Sequence, residues 1–277
     1  VSLVNTSAGP VDVVEHGSSS GPPFLFVHPF MTNARHWRKV VTQLDGIRAI
    51  TPTFPLGSHA TAMHPDADLS PPGLARIAID LLDALGIERA TLVGNDTGGA
   101  IAQIAAANHP DRVNGLVLTS CDAYDVFPPR MFAYLKVVAA IPGATNVLAQ
   151  SMRVPGVTQL PIAFGWVAKR RIDRDVMKSY IGPITRDRDV RRDTVKVMKG
   201  LDPRYTFEAA ERLRSFAEPA LIAWGAEDRF FPRRLAERLA VDIPRAQLEI
   251  VPDARTFVPE DNPRALAELI QKSVGPA

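Results

Sequence analysis

Apolar positions along the chain follow two alternating periods. Short runs at Phe24–Val27, Ile47–Ile50, Ala90–Val93, Val113–Thr119, Leu221–Trp224 and Leu248–Val251 read as buried strands. Val11–Glu15 alternates weakly, as a half-exposed strand does, and ends at His16-Gly17, which reads as a hairpin-like turn toward the next strand. Between the strands, the apolar residues Leu74, Ile77, Ala78, Leu81, Leu82 and Leu85 keep the helical period. Pro71 and Pro72 precede this helix and Gly86 ends it, the placements those residues favour. Arg35–Leu44 and Ala100–Asn108 read as further helices, and Pro263–Ser273 as a closing one capped by Asn262. Alternation of strand and helix implies an α/β chain whose mostly parallel sheet is covered on both faces. From Asp125 to about Tyr205 the rhythm gives way to a mostly helical stretch rich in Arg and Met. That stretch reads as a helical cap, 125–205, inserted into a core of 1–124 and 206–277. Its expected place is over the C-terminal strand ends, where open α/β sheets put their sites.

Composition narrows the function classes. A chain of 277 residues has room for one large domain or a core with an insertion. A net charge of +2 with 22% charged residues points to neither a nucleic-acid nor a membrane partner. The single cysteine, Cys121, excludes an internal disulfide and fits a reducing, cytoplasmic setting. No secretory signal pattern is read at the N-terminus, and no apolar run approaches the roughly 20 residues of a membrane span. Neither a metal-ligand spacing nor a phosphate-cradling glycine loop stands out, so no metal and no cofactor are expected.

The segment Val93-Gly94-Asn95-Asp96-Thr97-Gly98-Gly99 carries the most chemistry. It follows a strand and opens a helix of small residues, with one reactive side chain at the turn. The spacing matches the G-x-S-x-G nucleophile elbow, with Asp96 where that motif has serine. A carboxylate there suits attack on an sp³ carbon to give an alkyl-enzyme ester. Read by itself, Asp96 is also a suitable N-cap for the helix behind it.

The order of elements resembles the α/β-hydrolase fold, and the aspartate elbow resembles its branch of haloalkane dehalogenases, fluoroacetate dehalogenases and epoxide hydrolases. His28-Pro29-Phe30 stands where that branch has His-Gly-Phe or His-Gly-Asn. Trp224-Gly225-Ala226-Glu227-Asp228 stands where it places the triad acid, and Asn108-His109-Pro110-Asp111-Arg112-Val113 matches its link from elbow helix to next strand. The resemblance covers about Val11 to Glu268. It implies an oxyanion hole from the N–H groups of Phe30 and Thr97, and Asp228 as the residue that orients the base. Asp122, just after the strand Val113–Thr119, stands where some dehalogenases carry their acid instead.

Three positions depart from that branch. Asp253-Ala254-Arg255-Thr256-Phe257-Val258 matches the stretch holding the catalytic histidine, so Thr256 stands in the histidine's place. Thr97 stands where haloalkane dehalogenases usually carry a halide-binding tryptophan. No matched pair of ring-opening tyrosines is evident, with Tyr134, Tyr180 and Tyr205 as candidates. Among the six histidines, His59 is the candidate substitute base, because the loop Leu56–His64 leaves a strand at its C-terminal end. His28, Asp122, Trp166 and Tyr180 are expected at the substrate pocket, with Phe164 as another aromatic candidate. The implied activity is hydrolysis of a small apolar epoxide or halogenated molecule through an Asp96 ester. The alternative is a non-hydrolytic protein of the same fold, a cyclase, lyase or ligand-binding module, in which Asp96 carries a proton.

Overall fold

The computed structural model describes residues 1–274. Eight strands form one sheet: β1 (Ser2–Thr6), β2 (Gly9–Gly17), β3 (Pro23–Val27), β4 (Arg48–Pro52), β5 (Ala90–Asp96), β6 (Val113–Cys121), β7 (Ala220–Gly225) and β8 (Ala246–Val251). Their order is β1-β2-β4-β3-β5-β6-β7-β8. Only the β1–β2 and β2–β4 pairs are antiparallel. The central strands β5, β6 and β7 are buried along nearly their whole length because both faces are covered.

The helices are α1 (Arg38–Val41), α2 (Pro71–Ala84), α3 (Thr97–Asn108), α4 (Tyr134–Ala140), α5 (Ala144–Ser151), α6 (Arg174–Arg186), α7 (Arg188–Gly200), α8 (Pro203–Leu213), α9 (Arg233–Asp242), α10 (Val258–Asp261) and α11 (Pro263–Val274). One sheet face packs Leu25, Leu92 and Leu118 against α2, α3 and α8. The other packs Phe26, Val93 and Val117 with Trp37, Val41 and Leu266 of the α1 and α11 side. Helices α4 to α7 lie between β6 and β7, within the stretch read as a cap. Helix α8 begins at Pro203, where Asp202 caps it, and packs on α3 of the core.

Three local expectations are corrected. Strand β1 was not anticipated, since it is an edge strand with Ser2, Leu3 and Asn5 exposed and no buried alternation to reveal it. The hairpin of β2 is with β1, not with the following strand: β2 continues through His16 and Gly17 alongside β4. The expected helix Arg35–Leu44 is shorter, a 3₁₀ turn over Ala34–Trp37 followed by α1. The Thr42 hydroxyl, bonded back to the Arg38 carbonyl at 3.1 Å, marks where α1 stops.

Candidate active site

The turn between β5 and α3 sets Asp96 at φ 54°, ψ −127°, outside the backbone regions an L-residue prefers. Such a conformation costs about 1–3 kcal/mol and persists only where its surroundings enforce it. Here close packing does so. A Cβ on Gly98 would run into the Val27 carbonyl, and one on Gly99 would strike the Cys121 side chain. The two glycines therefore let α3 start directly against β3 and β6. Asn95 locks the turn from below. Its amide donates to the carbonyls of Thr119 (2.8 Å), Ser120 (3.2 Å) and Thr256 (2.8 Å), and its Oδ1 accepts from His36 Nε2 at 2.9 Å.

Asp96 accepts two bonds on one oxygen. Oδ1 takes the Thr97 N–H at 2.6 Å and the Thr97 hydroxyl at 3.0 Å. Among the described residues Oδ2 has no protein donor. Burial pushes the Asp96 carboxyl up to about 6; the Thr97 donors pull against that rise and the Asp228 charge adds to it. One oxygen is thus fixed by two donors of Thr97 while the other has no protein donor. The Phe30 side chain lines the same cavity, and its backbone follows Pro29, which brings no N–H of its own.

The cavity over Asp96 has a volume of about 80 Å³. One water occupies about 10–15 Å³ on this measure, so the space admits a molecule of a few heavy atoms. Phe132, Leu135, Met152, Phe164, Val167 and Phe257 make most of its wall apolar. The polar lining residues are Asp96, Thr97, Asp122 and Tyr134, and the Tyr134 hydroxyl donates to the Ile162 carbonyl at 3.0 Å. Asp122 is buried, its Oδ1 lacks a partner, and Gln103 donates to its backbone carbonyl at 2.9 Å. Burial, followed by the Asp96 charge, holds the Asp122 carboxyl well above its usual range.

Asp228 sits on the loop after β7. Its Oδ1 accepts the N–H groups of Phe230 (2.8 Å) and Phe231 (2.9 Å) and the Thr256 hydroxyl (2.9 Å). Burial raises its carboxyl pKa against those donors, and Oδ2 has no partner. Thr256 is fully buried on the loop after β8, so the pairing of these two loops expected from sequence is present, with a hydroxyl in contact with the acid.

Four other expected site residues lie elsewhere. His59 is absent from the cavity wall; its Nε2 faces Asp193 Oδ2 of α7 at 3.3 Å, and that carboxylate is also bonded by the Met63 N–H and Arg192. It ties the loop after β4 to α7. His28 shapes the loop after β3: Nδ1 donates to the Pro29 carbonyl at 2.9 Å and Nε2 accepts the Phe54 N–H at 2.8 Å. Burial lowers its pKa to about 3, which keeps the ring neutral. Trp166 lies under the Arg229 guanidinium at 5.1 Å, while its neighbours Phe164 and Val167 turn into the cavity. Tyr180 is buried behind Phe164, ring centroids 6.1 Å apart, and its hydroxyl finds no partner. No histidine lines the cavity. His36 comes closest in the network, but its Nε2 is spent on Asn95 and burial lowers its pKa to about 4.

Asn95 and, Phe164 apart, the apolar lining residues of 125–205 were not legible as site residues. Asn95 lies inside the elbow motif, and its role depends on three carbonyls distant in sequence. Among the described residues, no group of three or more His, Cys, Asp or Glu is arranged to hold a metal ion.

Comparison with known proteins agrees with this fold. Haloalkane dehalogenase 2 of Mycobacterium tuberculosis strain H37Rv is 26% identical over 276 residues, covering 98% of this chain and 93% of that protein. A 2-hydroxymuconate semialdehyde hydrolase of Pseudomonas sp. strain CF600 is 28% identical over 247 residues, covering 85% of this chain and 80% of its own length. The crystal structure of haloalkane dehalogenase DbeA from Bradyrhizobium elkani superposes with a TM-score of 0.80 at 21% identity, over 99% of this chain and 97% of that one. The profile of the alpha/beta hydrolase family matches residues 24–269, and with the aspartate elbow, the eight-stranded sheet and these relatives it establishes that the chain belongs to that family.

Proposed function

We propose that the protein is a hydrolase that opens a small apolar epoxide or carbon–halogen substrate through an ester on Asp96. The observation that carries this reading is the asymmetry of the Asp96 carboxylate. Oδ1 is held by the Thr97 N–H and hydroxyl, and Oδ2 is unbonded at the floor of an apolar cavity. Attack by Oδ2 displaces the leaving group from an sp³ carbon without needing an oxyanion hole. The later attack of water on the ester carbonyl does need one, and the Thr97 and Phe30 N–H groups are its donors. A substrate of few heavy atoms matches the cavity volume, and the mostly apolar wall strengthens the charge interactions beside it. We read residues 125–205 as the cap that closes the cavity, in a protein that acts on a small molecule.

Replacing Asp96 with Asn keeps the shape and removes the nucleophile. Product formation from butylene oxide and butyl bromide should fall at least about 100-fold, to background, with the fold intact by circular dichroism. Turnover retained by Asp96→Asn, prepared free of deamidated protein, would refute a covalent role.

A second reading has its own supporting observation. Thr256, not an imidazole, contacts Asp228, and no histidine lines the cavity. In that reading Asp96 carries a proton in an elimination or cyclisation, for which a carboxyl pKa near 6 is well matched. It predicts product without any esterified enzyme.

A further inference from the structure

Two carboxyl groups share the catalytic cavity, and the mechanism above uses only one. Asp122 reaches the cavity from the end of β6, is 1% exposed, and has a buried oxygen with no partner. The Thr97 hydroxyl donates to Asp96 at 3.0 Å, and Asp96, Thr97 and Asp122 line the same cavity. No basic side chain lines the cavity. Two carboxylates in such a space cannot both ionise cheaply, so one proton is shared between them.

We infer that Asp122 is the proton donor and acceptor of the reaction, in the cavity it shares with Asp96, and that this pair selects an epoxide over a halide. The inference rests on the ester reading of Asp96. The balance closes without histidine. Asp96 Oδ2 bonds to an epoxide carbon as the C–O bond breaks, and Asp122–COOH gives its proton to the ring oxygen. This leaves a hydroxyalkyl ester and an Asp122 carboxylate. That carboxylate then takes a proton from water as its oxygen adds to the ester carbonyl. The tetrahedral species expels the diol oxygen, which acquires the remaining proton of the water. Asp96 returns as carboxylate, Asp122 as acid, and the sum is epoxide plus water giving diol.

A halide leaves without needing a proton, so Asp122–COOH contributes nothing to its departure. The cavity wall also has no tryptophan, asparagine or glutamine N–H to receive the anion. The site therefore supplies what ring opening needs and lacks what halide release needs. The groups that face Asp122 are Asp96, Asp228 and the Cys121 thiol from the strand ends, with Tyr134 the titratable lining group from the opposite wall. All are acids, and none favours ionisation of Asp122.

The test is alkylation of Asp96, read by mass spectrometry with butylene oxide and with butyl bromide. Wild-type enzyme should be alkylated by the epoxide in a bell-shaped pH profile, rising as Asp96 ionises near 6 and falling at higher pH as Asp122 loses its proton. With the bromide the rising limb alone is expected. Asp122→Asn should lower the epoxide-to-bromide alkylation ratio about 100-fold or more and let the hydroxybutyl ester that does form persist. Thr97→Val should shift the falling limb while leaving both carboxyl groups in place. Matching pH profiles for the two probes in wild-type enzyme, or an unchanged ratio in a folded Asp122→Asn, would overturn the role of Asp122 alone. Absence of any Asp96 adduct or label from either probe would overturn the ester reading and this inference with it. The wild-type profiles decide the question even if Asp122→Asn fails to fold.

Discussion

At the scale of single residues, three carboxyl groups are held in unfavourable surroundings. Burial raises the pKa of Asp96, Asp122 and Asp228. A carboxyl whose folded pKa lies above its unfolded one binds its proton more tightly in the folded state. Its contribution to stability is full below the unfolded pKa and is lost as pH rises through the folded pKa. For Asp96 that window runs from the model-peptide value of 3.8 to about 6. Asp96→Asn should therefore stabilise the protein by about 2 kcal/mol above the window, allowing for the access of Asp96 to cavity solvent, and by almost nothing near pH 4. Urea denaturation at both pH values checks it, and equal effects at both would contradict the burial argument. The same substitution that ends catalysis should thus raise stability, as expected where a site is kept strained for function.

The residues also show where sequence stops being informative. Asp96 was legible because glycine spacing and a strand-to-helix transition are local. Asp228 and Thr256 were legible through motifs at fixed places after strands, and their hydroxyl–carboxylate bond follows from adjacent loops. His59, Trp166 and Tyr180 were not. A loop histidine near a strand end has two directions available, and the buried Asp193 draws His59 toward α7. Trp166 and Phe164 differ by two positions in an irregular segment, with no period to say which faces inward. Only the packing of Phe257 and Tyr180 around Phe164 decides that.

At the scale of elements, the irregular stretch between α5 and α6 needs an anchor to the core, and Asp261 of α10 supplies it. Its carboxylate accepts the backbone N–H groups of Lys169 (2.8 Å), Arg170 (2.9 Å) and Arg255 (2.9 Å). One buried side chain thus fastens the wall segment that carries Phe164 and Val167 to the loop that carries Thr256. Neighbouring Glu260 is buried against Arg38 and Lys39, and Arg38 also reaches Asp173 ahead of α6. Hydrogen bonds to a charged acceptor contribute about 1.5–3 kcal/mol each, less for partners that water can replace. Asp261→Ala should cost about 3 kcal/mol and speed amide exchange at Lys169 and Arg170 well before the strands β5 and β6 are affected. Exchange unchanged at those two amides would show that the segment is held by something else. None of this was visible in sequence, because the amides that Asp261 accepts lie 92, 91 and 6 positions from it.

At the scale of the whole molecule, the architecture was the most legible property and the cavity the least. Apolar runs alternating with helical periods give a mostly parallel sheet because each strand must bury both faces. That logic holds for five of the six runs read as buried strands and fails at both edges: Leu248–Val251 lies in β8, which has one neighbour and is only half-buried, and β1 buries too little to show a pattern. The cavity depends on which side chains of 125–205 meet the strand ends, a property of long-range packing alone. Among the described residues no helix is long and apolar enough to cross a membrane. The parts combine simply: the sheet positions a strained turn, the turn presents one carboxylate oxygen, and the wall around it keeps the space small and mostly apolar.

The most direct test of that account is a single turnover in ¹⁸O-labelled water with excess enzyme over butylene oxide, followed by tryptic digestion in ordinary water. The peptide Ala90–Arg112 carries Asp96. Water attacks the ester carbonyl, so the account predicts one ¹⁸O atom in the Asp96 carboxyl and none in the diol of the first turnover. Label in the diol with an unlabelled peptide would mean that water attacks the substrate directly, and would contradict the claim that Asp96 is the nucleophile.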